Sequence, residues 1–576
     1  MGGDDADDAN DVDDAADPEG ERVPTIDWAY WSDMGARTGT FEASLPIFEE
    51  NVNELGVDVN IMPVTLAFTG DAIRNDYREY HIEFVDMSLG PDRLDPEEFL
   101  TRFIVNYAGD SGVGNRSDYM SCDYSMNVLA QARAGDPDER REYVNEASRI
   151  FSEDVANIPI SHMMVLSGLR TDQLQLDGDL GLAGLNVGHP GTITQLRAEG
   201  EERIRYNGDA RFAESLINNV LQVSTTPIAA WNNLVYSPLV GYDENYEIEY
   251  VLAESIDVLD DGLVYDITLR DATFHDGTPI TSEDVAWTLD FIESNNDAYT
   301  VASSVPYESF EIINDQQLEI HLGSVAPFLL PRELPKWGIL PRDVWLDAGA
   351  EEDPENVDLE LPLVGSGPYQ LVEFQRDEFM RMDPFTDHPV YTPELPMDAI
   401  VYTETSAVVT DFEAGNLNVV YELPTEQALE YQDSDWAEIH TQEGFTPIYN
   451  APLMSFGPFQ FRDFRLAFSQ ALDRERAIET ALHGLTNAEV HASMMPSTHP
   501  WFAGDDILMR CADSPSSNID VARDLLEENG WEWDSDGNLH YPPDYDTGPA
   551  LPQGDTPVDH PDQFPCVTEI EEQLDS

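Results

Sequence analysis

Leu263-Val264-Tyr265-Asp266-Ile267-Thr268-Leu269-Arg270-Asp271-Ala272-Thr273-Phe274-His275-Asp276-Gly277-Thr278-Pro279-Ile280-Thr281-Ser282-Glu283-Asp284-Val285-Ala286-Trp287 changes periodicity twice within one stretch. Gly262–Leu269 reads as a strand. His275-Asp276-Gly277-Thr278-Pro279 is turn chemistry: Asp bonds to backbone ahead of it and Gly takes a positive φ. Thr281 then caps a helix running to Ile292, with Asp284 three residues on, placed for a capping box. His275 beside Asp276 reads as part of this turn and not as a catalytic pair.

Outward from this stretch, strands and helices alternate, which indicates a mixed α/β fold. Towards the C-terminus, Ser309–Leu322 reads as a hairpin and Gly365–Phe374 as a strand. Asp463–Leu485 reads as an amphipathic helix and Asp520–Asn529 as another, closed by Gly530. Because a strand follows it, Gly365-Ser366-Gly367-Pro368 is a turn; a phosphate cradle needs a helix whose amides converge on the anion. Towards the N-terminus, Phe41–Leu55 has helical spacing and ends at Gly56, Val57–Val64 and Tyr80–Ser88 are strand candidates, and Asp95–Tyr107 opens as a helix. Asp123–Ala134 and Asp136–Val155 are two further helices, Ile158–Leu166 is strand-like, and the Gly-rich, then charged residues 178–211 read as a linker.

The 576 residues carry 28 basic and 114 acidic side chains, a net charge of −86, with 41% hydrophobic and 10% aromatic residues. Such charge excludes nucleic acid as a natural partner and argues against a polybasic membrane contact, since both need clustered cations. The acids are interleaved with apolar periodicity, so only residues 1–23 read as a disordered acidic tail. Lys336 is the only lysine, and an acid-coated, lysine-poor chain suits molar salt, where the Debye length falls to about 3 Å; a halophilic source is expected. No 18-residue apolar run spans a membrane and no signal peptide is present. Gly2-Gly3-Asp4-Asp5-Ala6-Asp7-Asp8 resembles the tether behind a lipobox cysteine, so an extracytoplasmic protein held at the cell surface by an N-terminal lipid is expected. Of Cys122, Cys511 and Cys566, the last two flank a Pro/Asp/Gly-rich excursion and can form one disulfide; three unpaired thiols are the alternative. His483, His491 and His499 stand eight apart without a metal motif. No GxSxG elbow occurs, so neither catalytic nor metal-ligating residues are assigned.

The opening stretch closely resembles the signature of family-5 extracellular solute-binding proteins, the oligopeptide, dipeptide and nickel-type receptors of ABC importers. Gly365-Ser366-Gly367-Pro368-Tyr369-Gln370-Leu371, Phe461–Leu485 and Val521–Gly530 resemble later parts of the same family. The material that normally follows the last of these lies at the other end: Phe48–Val59, Met87–Leu100 and Asp138–His162 resemble the family's C-terminal helix–strand junction, ligand loop and final helix and strand. The resemblance therefore implies a circularly permuted α/β fold of the periplasmic-binding-protein type II, with two hinged lobes and an additional α/β domain. Lobe III would comprise 24–165 and 446–576, the latter ending in a Pro/Asp-rich tail. Lobe I would comprise 166–245, including a permutation linker at 186–211, and 365–445; domain II would be 246–364. A gene fusion whose halves dock with neighbouring chains is the alternative.

Function follows from the resemblance as an expectation. A monomer would bind a peptide-like ligand between lobes, close on it and deliver it to ABC permease subunits, without cofactor, metal or catalysis. Asp92 matches the aspartate that holds the ligand's α-amino group, with Arg93 beside it. Ser88, Leu89 and Gly90, and Ser224, Thr225 and Thr226 before Trp231, match the segments that pair with ligand backbone. Tyr449 and Asn450 are placed at the cleft or in the core. The alternatives are another solute, such as a metal chelate or a sugar, an interaction protein that has lost transport, and a hydrolase on a similar scaffold.

Overall fold

The computed structural model describes residues 18–65, 68, 79–87, 90–109, 115–199, 203–208, 232–295, 305–354, 357–546, 548–552 and 554–574. In chain order the elements that matter here are β1 (Ile26–Trp31), α1 (Ala36–Glu54), β2 (Val59–Val64), β3 (Ile82–Asp86), α2 (Cys122–Ala132), α3 (Pro137–Glu153), β4 (Ile158–Arg170) and β5 (Ile204–Gly208). Domain II supplies β6 (Ala253–Leu259), β7 (Val264–Leu269), α4 (Ser282–Ser294), β8 (Tyr307–Asn314) and β9 (Gln317–Leu322). Then come β10 (Tyr369–Gln375), β11 (Phe379–Pro384), β12 (Met397–Val401), β13 (Val419–Val420), β14 (Ala437–Pro452), α5 (Arg462–Ala471), α6 (Arg474–Leu482), α7 (Ile519–Glu528) and α8 (Val567–Leu574).

Ten strands form one sheet in the order β10-β11-β12-β5-β13-β4-β14-β3-β1-β2, and domain II has its own antiparallel sheet, β6-β7-β9-β8. The long strands β4 and β14 lie antiparallel in the middle of the large sheet, from Ala437 opposite Arg170 to Asn450 opposite Ile158. Their pairing is interrupted between Glu443 and Pro447. On one side of that interruption they join a core containing Ile158, Ile160 and Ala451; on the other, Leu169 and Leu166 belong to separate apolar clusters. Two strands therefore run from the first core into the other two clusters, with the ladder broken along the way.

Lobe III is built from both ends of the chain. Its apolar core takes Trp28, Phe48, Val128 and Phe151 from the early residues and Phe464, Leu526, Trp531 and Ile570 from the late ones. Trp28 stacks on Phe48 and tilts against Phe468, at 6.1 and 5.2 Å between centroids. The Val23 N–H donates to Leu539 O (2.9 Å) and the Tyr541 N–H to Glu21 O (2.8 Å). Gly56 closes α1 at φ +85, where a Cβ would lie 2.2 Å from Gly537 O, so glycine answers both the turn and the close approach of the late hairpin.

Several expectations need correction. The disulfide joins Cys122 to Cys566 (Cα–Cα 5.7 Å), not Cys511 to Cys566. Cys511 is buried and donates its thiol to Val490 O at 3.2 Å, while the late excursion returns across the lobe to the start of α2. The stretch read as a linker contains β5, whose Ile204 and Tyr206 are fully buried between β12 and β13. The Pro/Asp-rich tail buries Trp531, Leu539, Leu551 and Ile570. Widely spaced apolar anchors hold such segments without any period to read. Asp95–Tyr107 is a chain of short turns, including the helix Glu97–Leu100, and not one helix. Asp463–Leu485 divides at Leu472, with Asp473 accepting the Arg476 N–H as a new N-cap (3.0 Å).

The opening motif forms as read. Thr281 and Asp284 make a capping box, and Asp276 Oδ1 accepts the Thr278 N–H at 2.9 Å. His275 Nδ1 accepts the Gly365 N–H (3.1 Å) and its Nε2 donates to Gly367 O (2.9 Å), so the histidine fastens domain II's first turn to the Gly-Ser-Gly turn.

Candidate functional site

Beside the broken ladder of β4 and β14, Asp86 at the end of β3 pairs with Ile448, the neighbour of Pro447. On the lobe III side, parallel strands β1 and β3 end there. Arg37, in the first turn of α1, donates Nη1 to Asp86 Oδ1 at the end of β3 (2.9 Å). Its Nε lies 3.5 Å from Glu422 Oε1, just after β13 of lobe I. One guanidinium therefore meets a carboxylate from each lobe. Burial opposes its charge, but Asp86 and Glu422 outweigh this and raise its pKa.

Behind this contact lies a buried ionic group. Glu83 on β3 is fully buried and accepts Trp31 Nε1 at 2.7 Å. Arg116 Nη1 donates to both its carboxylate oxygens at 3.3 and 3.2 Å, and its guanidinium stands 5.0 Å from the Trp31 ring centroid. Tyr449 packs on the same face, its phenol pushed up to about 12 by burial. Asn450 points to the opposite face, where Oδ1 accepts Trp28 Nε1 (2.9 Å), so Asn450 is a core residue.

The loop after β3 carries the sequence-derived residues. Gly90 precedes a single turn, Pro91–Leu94, in which Asp92 lies. The Asp92 side chain, Ser88, Leu89, Ser224, Thr225, Thr226 and Trp231 fall outside the described residues. Arg93 is buried, and its carbonyl accepts His499 Nε2 at 2.9 Å. His499 Nδ1 accepts the Trp501 N–H (3.0 Å), which fixes the tautomer. Burial lowers this imidazole to about 4. Asp95 is held by Arg140 through two bonds of 2.8 and 2.6 Å. Thr446 Oγ1 on β14 donates to Met87 O (2.7 Å), coupling the loop's root to the bridging strand.

Domain II closes the far side of this loop. Arg332 Nε lies 3.3 Å from Glu98 Oε2, and Arg102 also meets Glu98. Burial would raise the Glu98 carboxyl, but Arg102, Arg332, Arg93 and Lys336 together hold it well below the ordinary range. From the lobe I side, Gln442 Nε2 on β14 donates to the Tyr246 hydroxyl (2.6 Å), and Tyr246 meets Phe445 edge-on at 5.2 Å.

The structure thus brings Gly90, Asp92, Arg93 and Tyr449 to one region and leaves Asn450 in the core. Sequence reasoning did not find Arg37, Glu83, Asp86, Arg116, Glu422 or His499. One signal was available: with 28 basic against 114 acidic residues, a buried cation is rare enough to mark a specific contact, although its partner cannot be read.

Ser237 Oγ lies 2.9 Å from His388 Nε2. His388 Nδ1 accepts the Tyr391 N–H at 2.9 Å, so Nε2 carries the proton and donates to the serine. An imidazole in that state cannot take the serine's proton.

Residues 247–574, more than half of the chain, match the family model described as bacterial extracellular solute-binding proteins, family 5 Middle. Among curated proteins the chain is 26% identical over 318 residues to the oligopeptide-binding protein AppA of Bacillus subtilis (strain 168), covering 53% of this chain and 55% of that protein. It is 24% identical over 269 residues to the glutathione-binding protein GsiB of Salmonella typhi, covering 43% and 48%. The chain spans about half the length of the curated relatives it matches. Among solved structures, AppA from Bacillus subtilis in complex with a nonapeptide aligns at TM-score 0.44 and 20% identity, covering 65% of this chain and 72% of that one. NikA from Brucella suis in complex with Fe(III)-EDTA aligns at TM-score 0.47 and 18% identity, covering 61% and 68%. The chain belongs to the bacterial extracellular solute-binding proteins of family 5.

Proposed function

We propose that this protein is the extracytoplasmic receptor of an ABC importer, which holds a peptide-like solute between its lobes and hands it to the permease. The observation that carries this reading is Arg37, set between Asp86 of lobe III and Glu422 of lobe I beside the broken ladder of the two bridging strands. An ion pair across a hinge contributes only when the lobes approach, so it biases an open–closed equilibrium towards the state that encloses ligand. The peptide class is supported by the curated relatives named for oligopeptide and glutathione binding. Asp92 is the proposed amine anchor, in a turn held by His499 and Asp95. Ser88 to Gly90 and Ser224 to Thr226 are the proposed backbone-pairing segments. Lipid tethering at the cell surface, a monomeric state, independence from nucleic acid and stability in molar salt belong to the same proposal.

Circular permutation is part of it as well. Its support is the shared core of the early and late residues, and the order in which the family-like stretches occur. Among the described residues no helix is long and apolar enough to cross a membrane.

The test is thermal stabilisation of the purified chain by a library of di- to decapeptides in molar salt, alongside sugars and metal chelates. Peptides should stabilise it; stabilisation by a sugar or chelate alone would move the substrate class, and none by any solute would favour an interaction protein. Asp92→Ala should weaken free-amine peptides more than N-acetylated ones. Arg37→Ala should lower peptide affinity by about tenfold, the worth of roughly 1.4 kcal/mol, and leave a more open particle by small-angle scattering.

A further inference from the structure

We propose that domain II carries a binding site for a divalent transition-metal ion such as Zn²⁺, formed by Glu311, Glu319 and His321 on the outer pair of its four-stranded sheet. One ligand atom from each of the three lies within 4.8 Å of the others. Register explains the convergence. Glu311 on β8 stands directly opposite Glu319 on β9, and His321 follows Glu319 by two residues, so its side chain leaves the same face. Glu319 is also opposite Asp266 on β7, which places three carboxylates in one row across the sheet.

Like charges directly opposed across a ladder are destabilising. Asp266 has a local solution, since Gln317 Nε2 donates to both its oxygens at 2.8 and 3.1 Å. His321 Nε2 lies 3.1 Å from Glu319 Oε2 and 4.0 Å from Glu311 Oε2. That nitrogen is shielded from solvent, yet its placement makes no hydrogen bond. The ring nitrogen is thus turned towards two carboxylates, the placement that a shared metal ion needs. One imidazole with two carboxylates is a ligand set for Zn²⁺ and its neighbours rather than for Mg²⁺ or Ca²⁺, which take oxygen alone. Water would complete the shell. β8 and β9 are joined by a short turn and pair on both sides of the Glu311–Glu319 position, and β7 backs β9, so the sheet sets the spacing of the ligands. The inference goes beyond solute transport and does not depend on it, because the site lies on domain II's own sheet.

The test is isothermal titration of the metal-stripped full chain with zinc sulfate in concentrated sodium sulfate, since chloride would compete for the metal. The expected result is one saturable equivalent, with the same affinity in Arg37→Ala, which alters the cleft alone. His321→Ala and the double variant Glu311→Gln/Glu319→Gln should each weaken it by at least tenfold, with circular dichroism unchanged. Zn²⁺ uptake that is diffuse and never saturates, or a saturable site that survives His321→Ala unchanged, overturns the proposal.

Discussion

Lobe III and the sheet of domain II are built on opposite plans. In domain II, β6, β7, β9 and β8 are neighbours in space within one continuous stretch, paired as antiparallel hairpins. In lobe III, parallel strands β1, β2 and β3 pack under helices α5, α6 and α7, which come more than 370 residues later. Domain II closes short loops, whereas lobe III must bring distant segments together before its contacts yield anything. Lobe III is accordingly fixed by long-range devices, the Cys122–Cys566 disulfide and the late residues bonded to residues 21–23, and by the buried Arg140–Asp95 pair within its early segment.

The sharpest way to break this comparison is Arg140→Ala. It leaves the buried Asp95 carboxylate without its bidentate partner, and removing one member of a buried pair costs about 3–5 kcal/mol. Hydrogen exchange should show lobe III amides losing protection while β6–β9 keep theirs; equal loss in both regions would mean that the two units unfold together. Next comes Cys122→Ser with Cys566→Ser, which releases a crosslink spanning 444 residues. About 2–4 kcal/mol should be lost from lobe III in denaturant titrations, and reduction of the native chain should give the same shift.

Acid provides a third test. Burial depresses His499 to about 4, below its ordinary value, so the folded protein keeps it neutral while the unfolded chain is protonated near pH 6.5. The unfolded state binds more protons in that interval, and stability is therefore full above about pH 6.5 and falls as pH drops towards 4. The loss is on the order of 2–3 kcal/mol for this buried group. His499→Gln should flatten that part of the pH–stability profile for the loop around Arg93. The smallest effect is Thr281→Ala, which removes the capping box of α4 and should cost about 1 kcal/mol. It should be felt in domain II alone, where each contact is local.

The same contrast governs what could be read in advance. The strand, turn and helix around Phe274–Pro279 were legible because Asp276, Gly277, Thr281 and Asp284 act on backbone within four residues of themselves. Gly56 was legible as a helix end, but not as the place where Gly537 passes. At the candidate site, the loop carrying Gly90, Asp92 and Arg93 was found through motif resemblance. Arg37, Glu422 and His499 were not, since Arg37 alone shows nothing of a carboxylate 385 positions away in the chain. The disulfide was misassigned for the same reason: proximity in sequence suggested Cys511, while folding brought Cys122.

By itself the sequence determined the alternation of strands and helices, the turns and caps, the acid-coated surface and the resemblance at its centre, because each rests on side chains acting over a few residues or on composition summed over all of them. Only the tertiary structure decided that β5 is an interior strand, that the late Pro/Asp-rich stretch belongs to the core, that Cys122 and not Cys511 meets Cys566, and that one arginine joins two lobes. Those outcomes depend on which distant surfaces exclude water together, and burial energy carries no record of sequence separation.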